Sequence, residues 1–278
     1  MIAEQRYCLF GYRFSFCTNV PRAAELFSRL YAGKADNRPE ATAKFYRLLH
    51  YPGAAADEQW QIEVPGLASH AKPTLGDCLY SIEASISGDM TRHDHGLHFV
   101  HGAVVYAAQG DILLTGNSGA GKTTLSLALA ARGLRVGGDD IALLNPLDGL
   151  LQPHARCFHI DARSAEMLAG LGLELPADAL RDQFVTPLDL GMPEPPPARP
   201  RFVFLLEPER RQAPSIVPET QAEAASALLM QTARGRFSDI EALRAIVRLT
   251  GAARCFRVWS GDLASTTGAI LHLVRQGV

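Results

Sequence analysis

The spacing of apolar and polar residues divides this chain near Leu97. Before that point, residues 7–17 are aromatic and partly alternating, which predicts one strand bent at Gly11. Pro21 in a first turn and Gly33 past the last one bracket a predicted helix from Arg22 to Tyr31. Lys44–Leu49 and Trp60–Val64 predict two strands of a small sheet. Leu79, Ile82 and Ile86 recur at near-helical intervals and predict a helix from Leu75 to about Met90.

From Leu97 onward, β-rich runs alternate with helical patterns. Leu97–Tyr106 and Asp111–Thr115 predict a hairpin through the Gln109-Gly110 turn. A helix rich in Ala and Leu follows from Thr124 to Arg132, ended by Gly133. Leu134–Gly138 and Ile141–Leu144 predict short strands with Asp139-Asp140 between them, and a helix is expected from about Arg163 to Leu171. Arg201–Leu206 and Phe256–Trp259 predict further strands. Helices are expected over Thr220–Leu229, Ser238–Thr250 and Leu263–Val274. The proline-rich run from Gly191 to Pro200 reads as a stiff connector. This alternation predicts an α/β nucleotide-binding domain with a mixed β-sheet over residues 97–278, preceded by a small α+β region over residues 1–96.

Composition narrows the setting. A chain of 278 residues with 47% apolar and 20% charged residues has ample length for a core. A net charge of -2 gives no sign of a generic nucleic-acid binder. No run approaches the roughly 18 apolar residues of a membrane span, and Glu4 and Arg6 interrupt any leader pattern. The five cysteines are scattered without a C-x-x-C pair, as expected of reduced thiols in a cytoplasmic protein.

The chemistry concentrates at Gly116-Asn117-Ser118-Gly119-Ala120-Gly121-Lys122-Thr123-Thr124. Its first eight residues match the phosphate-binding pattern G-x-x-x-x-G-K-[ST] between a predicted strand and a predicted helix. Glycines there let successive N–H groups converge on one anion, and the helix offers its positive end to the same phosphates. Lys122 is expected to reach the β- and γ-phosphates of ATP or GTP, with the Thr123 hydroxyl on Mg²⁺. Asp139 follows Lys122 by only 17 residues, a short interval that narrows the class of phosphate-loop protein. Nucleotide kinases need one carboxylate for Mg²⁺ and often another for the acceptor's proton.

Together, His101-Gly102, the Gly-x-Ser-Gly-x-Gly-Lys loop, Arg132-Gly133 and Asp139-Asp140 stand in the order and spacing of the HPr kinase/phosphorylase family. The chain resembles that family well from Phe99 to about Pro146. The resemblance implies a phosphoenolpyruvate carboxykinase-like P-loop fold and transfer of the γ-phosphate to a Ser or Thr hydroxyl of a protein or peptide. It further implies Asp139 as general base, Asp140 as Mg²⁺ ligand, and His101 near the phosphates, with the order of the two acids left open. Asn117 stands where Asp is common, and the later Glu-x-Arg-Gly segment is not evident. These departures favour a diverged relative, such as the kinases of lasso-peptide precursors, over an enzyme of HPr itself. The resemblance also allows a homo-oligomer.

Weaker candidates are Arg156, Arg234 and Arg236 for gripping phosphate or an acidic acceptor, and Asp161 or Glu166 for a further carboxylate. For any single Arg, an exposed and solvated position is the expectation. His93, His95, His98 and His101 fall within nine residues. Without Cys or carboxylate partners at ligand spacing they read as a turn and a strand, and period two puts His98 and His101 on opposite faces. The residues support a hydroxyl kinase with an accessory or acceptor-binding N-terminal region, and the resemblance implies a peptide or protein as its acceptor. A small-molecule kinase and a non-catalytic nucleotide-binding regulator are the alternatives.

Overall fold

A two-residue turn near the N-terminus sets the first departure from that expectation. Phe10 and Gly11 both adopt positive φ, 49° and 84°, so the chain reverses there instead of bending. The result is a hairpin of β1 (Ala3–Leu9) and β2 (Tyr12–Thr18), with Leu9 opposite Tyr12. The computed structural model describes the whole chain except residues 1, 39–43, 54–58, 94–95, 155, 159, 183, 193–194, 233–238 and 278. Within it lie two compact units, each considered by itself, with elements numbered in chain order.

The first unit comprises Met1–His95, Cys157–His159 and Pro176–Leu190. Sequence reading assigned the two later segments to the C-terminal region. A bridge between Phe158 and Val185 links these two segments to each other, and Arg22 ties the second to the rest of the unit, its guanidinium pairing with Asp178 at 2.7 Å and Asp182 at 2.8 Å. Its mixed sheet runs β1-β2-β3-β4-β5, with β3 (Lys44–His50) parallel to β2, and β4 (Trp60–Glu63) and β5 (His70–Lys72) antiparallel. Helix α1 (Pro21–Leu30) buries Ala23, Leu26, Phe27 and Leu30, one face at helical spacing. Phe27 stacks on Phe16 of β2 with ring centroids 3.8 Å apart, both side chains fully buried. Helix α2 (Leu75–Arg92) starts where Thr74 accepts a hydrogen bond from the Asp77 amide, and it buries Leu79, Ile82 and Ile86.

The second unit comprises Gly96–Arg156, Ile160–Leu175 and Gly191–Val278. Its strands are β6 (His98–Tyr106), β7 (Asp111–Gly116), β8 (Arg135–Gly138), β9 (Ile141–Leu144), β10 (Leu151–Gln152), β11 (Pro200–Glu207), β12 (Ser215–Pro218) and β13 (Arg254–Trp259). They form a mixed sheet in the order β10-β9-β6-β7-β11-β13-β12, with β8 also pairing β6. Strands β7, β11 and β13 are parallel, and the predicted β6–β7 hairpin is antiparallel.

Alternation along the strands sends residues to two faces. Leu113, Val203, Leu205 and Cys255 pack with Leu228, Ile246 and Leu249 of helices α6 (Gln221–Met230) and α7 (Asp239–Ala252). The alternate residues Leu114, Phe204 and Phe256 belong to the other face, which carries α3 (Lys122–Ala130) and α8 (Leu263–Gln276) against each other. Helix α4 (Ala162–Ala169) packs against α3. The protein is thus mixed α/β. Elements missed in the sequence are short: β5, β12 and α5 (Ala177–Asp182) are three, four and six residues long. Among the described residues no helix is long and apolar enough to cross a membrane.

Phe16→Ala removes one ring of the buried stack and leaves a cavity, so it should destabilise the first unit by about 3–5 kcal/mol, read by urea denaturation.

Candidate functional site

The site grows from the carboxyl end of β7, held between antiparallel β6 and parallel β11. At Gly116, φ is 149°, and a Cβ there would fall 2.5 Å from the Leu206 carbonyl oxygen of β11. No side chain fits at that point. Gly119 and Gly121 then take φ of 81° and 92°, the left-handed values that curl backbone N–H groups toward a common point. Helix α3 begins after Gly121, with no side-chain cap and no acidic residue in its first turn. Helices α4, α6 and α8 of the same unit are capped by Asp161, Thr220 and Asp262. The first-turn amides of α3, at Lys122, Thr123 and Thr124, therefore end in a form suited to an anion. Asn117, Ser118 and Gly119 are exposed at the loop's crest.

Lys122 is nearly buried, and its Nζ donates to the Gly116 carbonyl at 2.9 Å and the Asn117 carbonyl at 3.1 Å. Burial pushes its pKa down, while Asp140 and Asp139 act in the opposite direction. The Thr123 hydroxyl donates to Asp139 Oδ2 at 2.9 Å. Asp139 is buried at the end of β8, where the chain passes so close to the His154 carbonyl that a Cβ on Gly138 would sit 2.7 Å from it.

Asp140 differs from its neighbour, its side chain being 41% exposed. His101 Nε2 lies 2.7 Å from its Oδ1, and the Arg156 guanidinium donates to Oδ2. Desolvation is the largest single influence on its pKa and raises it. The hydrogen bond from His101 and the charges of Arg156, His101 and Lys122 outweigh that, and the carboxyl is held down at about 2. Arg156 is only 5% exposed, contrary to the solvated position expected for it. A buried guanidinium needs a partner, and Asp140 supplies one.

His101 is placed by its neighbours on the chain. A Cβ on Gly102 would meet Leu113 Cδ1 and the Leu114 carbonyl oxygen, each at 2.9 Å, so glycine lets β6 lie close against β7. The Gly102 amide donates to the Asp140 carbonyl at 3.2 Å, and the His101 carbonyl accepts from the Thr115 hydroxyl at 2.9 Å. His98 is buried, and burial lowers its pKa. His93 belongs to the first unit, against Tyr12 at 5.6 Å.

One participant has no sequence motif. The Gln231 carbonyl, just past α6, accepts from the His101 amide at 2.8 Å, and its side-chain Nε2 donates to Asn117 Oδ1 at 2.9 Å. It ties the Gly116–Thr123 loop to β6. Asp161 accepts from the Ser164 amide at 2.7 Å as the cap of α4, and Glu166 is exposed on that helix, so neither reads as a further catalytic acid. Arg234, Arg236 and His95 lie outside the described residues.

The arrangement can hold a chain of phosphates on the loop amides and Lys122. Thr123 and Asp139 together present hard oxygen donors, a set that fits Mg²⁺, which takes one or two protein ligands and completes its shell with substrate phosphates and water. Asp140 is the accessible carboxylate at the edge of that arrangement.

Two substitutions probe this geometry. Gly116→Ala places a methyl against the Leu206 carbonyl and should lower the melting temperature of the second unit by several degrees, read by calorimetry. Arg156→Met should raise the Asp140 pKa from about 2 toward the ordinary carboxylate range, read by carboxyl ¹³C NMR titration. Because the folded pKa is depressed, Asp140 contributes stability above about pH 4 that is lost as pH falls toward 2, and Arg156→Met should narrow that window. No protein-family model matches this chain, and no curated protein matches it.

Proposed function

We propose that the second unit is a Mg²⁺-dependent phosphotransferase that moves the γ-phosphate of ATP or GTP to a hydroxyl, foremost a Ser of a peptide or protein. The observation that carries this reading is the 2.9 Å hydrogen bond from Thr123 to Asp139. It joins the hydroxyl of the loop to the first acid of the pair, 16 residues later in the chain. The resemblance of Phe99–Pro146 to the HPr kinase/phosphorylase family, with its phosphoenolpyruvate carboxykinase-like P-loop fold, supports the reaction and the acceptor class.

In this reading the loop amides and Lys122 grip the β- and γ-phosphates and stabilise the charge that spreads over the transferred group. Thr123 and Asp139 would hold Mg²⁺, which would supply positive charge against the negative charge of the phosphates. Asp140, partly exposed and ionised, orients the acceptor hydroxyl and takes its proton. These two roles are the reverse of those implied by the resemblance, because Asp139 is the acid bonded to Thr123. A pKa near 2 makes Asp140 a weak base. A loose transition state asks little of a base, since bonding to the nucleophile is slight when the leaving oxygen departs. His101 and Arg156 then act as positioning residues that hold the carboxylate.

The test is transfer from γ-labelled ATP with Mg²⁺ to a panel of Ser-containing peptides, proteins and small alcohols. Asp140→Asn should cut transfer by about 10²–10⁴-fold while nucleotide still binds. Lys122→Ala should weaken nucleotide binding itself. Label appearing on a small alcohol alone would move the acceptor class. Nucleotide binding without transfer to any acceptor would replace the kinase with a nucleotide-binding regulator.

A further inference from the structure

Across the carboxyl edge of the sheet, the acids and the parallel strands lie on opposite sides of the phosphate loop. Asp139 follows β8, which pairs with β6, and β6 flanks β7 on one side. Strand β11 flanks β7 on the other side, and β13 lies beyond it. A triphosphate whose γ end faces Asp139 and Asp140 must direct its α-phosphate and nucleoside away from them, over β11 toward β13. Ligands of such sheets lie along this carboxyl edge.

At the end of β13 stands an indole. Trp259, the last residue of β13, is half-buried and pairs in register with Glu207, while Gly116 pairs with Leu206. Trp259 therefore stands one residue beyond the level of Gly116 and two strands away, about 10 Å. That span matches the distance from a β-phosphate to a purine base. The Arg211 guanidinium lies over the Trp259 ring, 4.1 Å from its centroid. Arg211 is itself fixed, since its amide donates to the Ser260 carbonyl at 2.8 Å. The loop that carries it packs on Gly261, where a Cβ would fall 2.8 Å from Pro214 N. Nearby Glu207 and Glu219 are both paired with Arg257, so their charges are compensated where a nucleotide would pass.

We infer that the Arg211–Trp259 stack is the platform for the nucleotide's purine base. This rests on the phosphotransferase reading and extends it to the nucleoside half of the donor. Stacking on an indole and a guanidinium reads a base by its flat face, so ATP and GTP should both be accepted, with CTP weaker.

The chain has two tryptophans, so Trp60→Phe leaves Trp259 as the sole indole. In that protein, MgATP and MgGTP should change Trp259 emission, and magnesium tripolyphosphate should not. Trp259→Ala should weaken MgATP binding about tenfold or more in calorimetry, with tripolyphosphate affinity unchanged and Trp259→Phe recovering most of the loss. Equal MgATP affinity in wild type and Trp259→Ala would overturn the inference and leave the phosphotransferase intact. So would a parallel loss of tripolyphosphate, which would mean that Trp259 acts only through the fold. Failure of wild type to bind either ligand would remove both readings.

Discussion

The contact between Gly116 and the Leu206 carbonyl is the constraint on which the site depends. Two parallel strands, β7 and β11, come so close at their ends that the chain leaving β7 can carry no side chain there. From that point the backbone must turn through left-handed glycines into α3, and the turn delivers Lys122 and Thr123 at fixed positions. The same logic recurs on the other side of β7. Gly102 lets β6 lie close enough for His101 to reach Asp140, and Gly138 lets the acid pair emerge beside the His154 carbonyl. Three glycines, each excluded from bearing a Cβ by a neighbouring backbone oxygen, bring two strand ends and one helix start together.

Charge compensation sets what that geometry can do. Burying Lys122, Asp139 and Arg156 would be costly for each alone. Here each has a partner of suitable chemistry: loop carbonyls for Lys122, the Thr123 hydroxyl for Asp139, and Asp140 for Arg156. The two adjacent carboxylates consequently diverge. Asp139 is drawn into the loop, whereas Asp140 remains partly accessible and firmly ionised. Adjacent acids in different surroundings can divide metal binding and proton handling between them.

How much of this was readable from the residues depended on whether a feature was local. The loop, its flanking strand and helix, and the β6–β7 hairpin follow from glycine spacing and periodicity, and all are present. The turn at Phe10-Gly11 escaped because a non-glycine residue occupies a positive-φ position without an Asn or Asp to mark it. β5, β12 and α5 are too short to express a period. Gln231 was hidden for another reason: its value comes from Asn117, 114 positions away in the chain and joined to it only by topology. Arg156 was a candidate for gripping phosphate, but neither its burial nor its pairing with Asp140 is marked by any local pattern. The membership of residues 157–159 and 176–190 in the first unit is a long-range fact of the same kind.

The claim at the centre is that Thr123 and Asp139 form a divalent-metal site that works only with a phosphate on the adjacent loop. Calorimetric titration of ADP into the protein, with Mg²⁺ and then with the metal chelated, tests it directly in wild type and in Asp139→Asn. The account predicts tighter ADP binding with Mg²⁺ in wild type, and loss of that gain when Asp139 is replaced. ADP affinity that is the same with and without Mg²⁺, or a metal-dependent gain that survives Asp139→Asn, would contradict it.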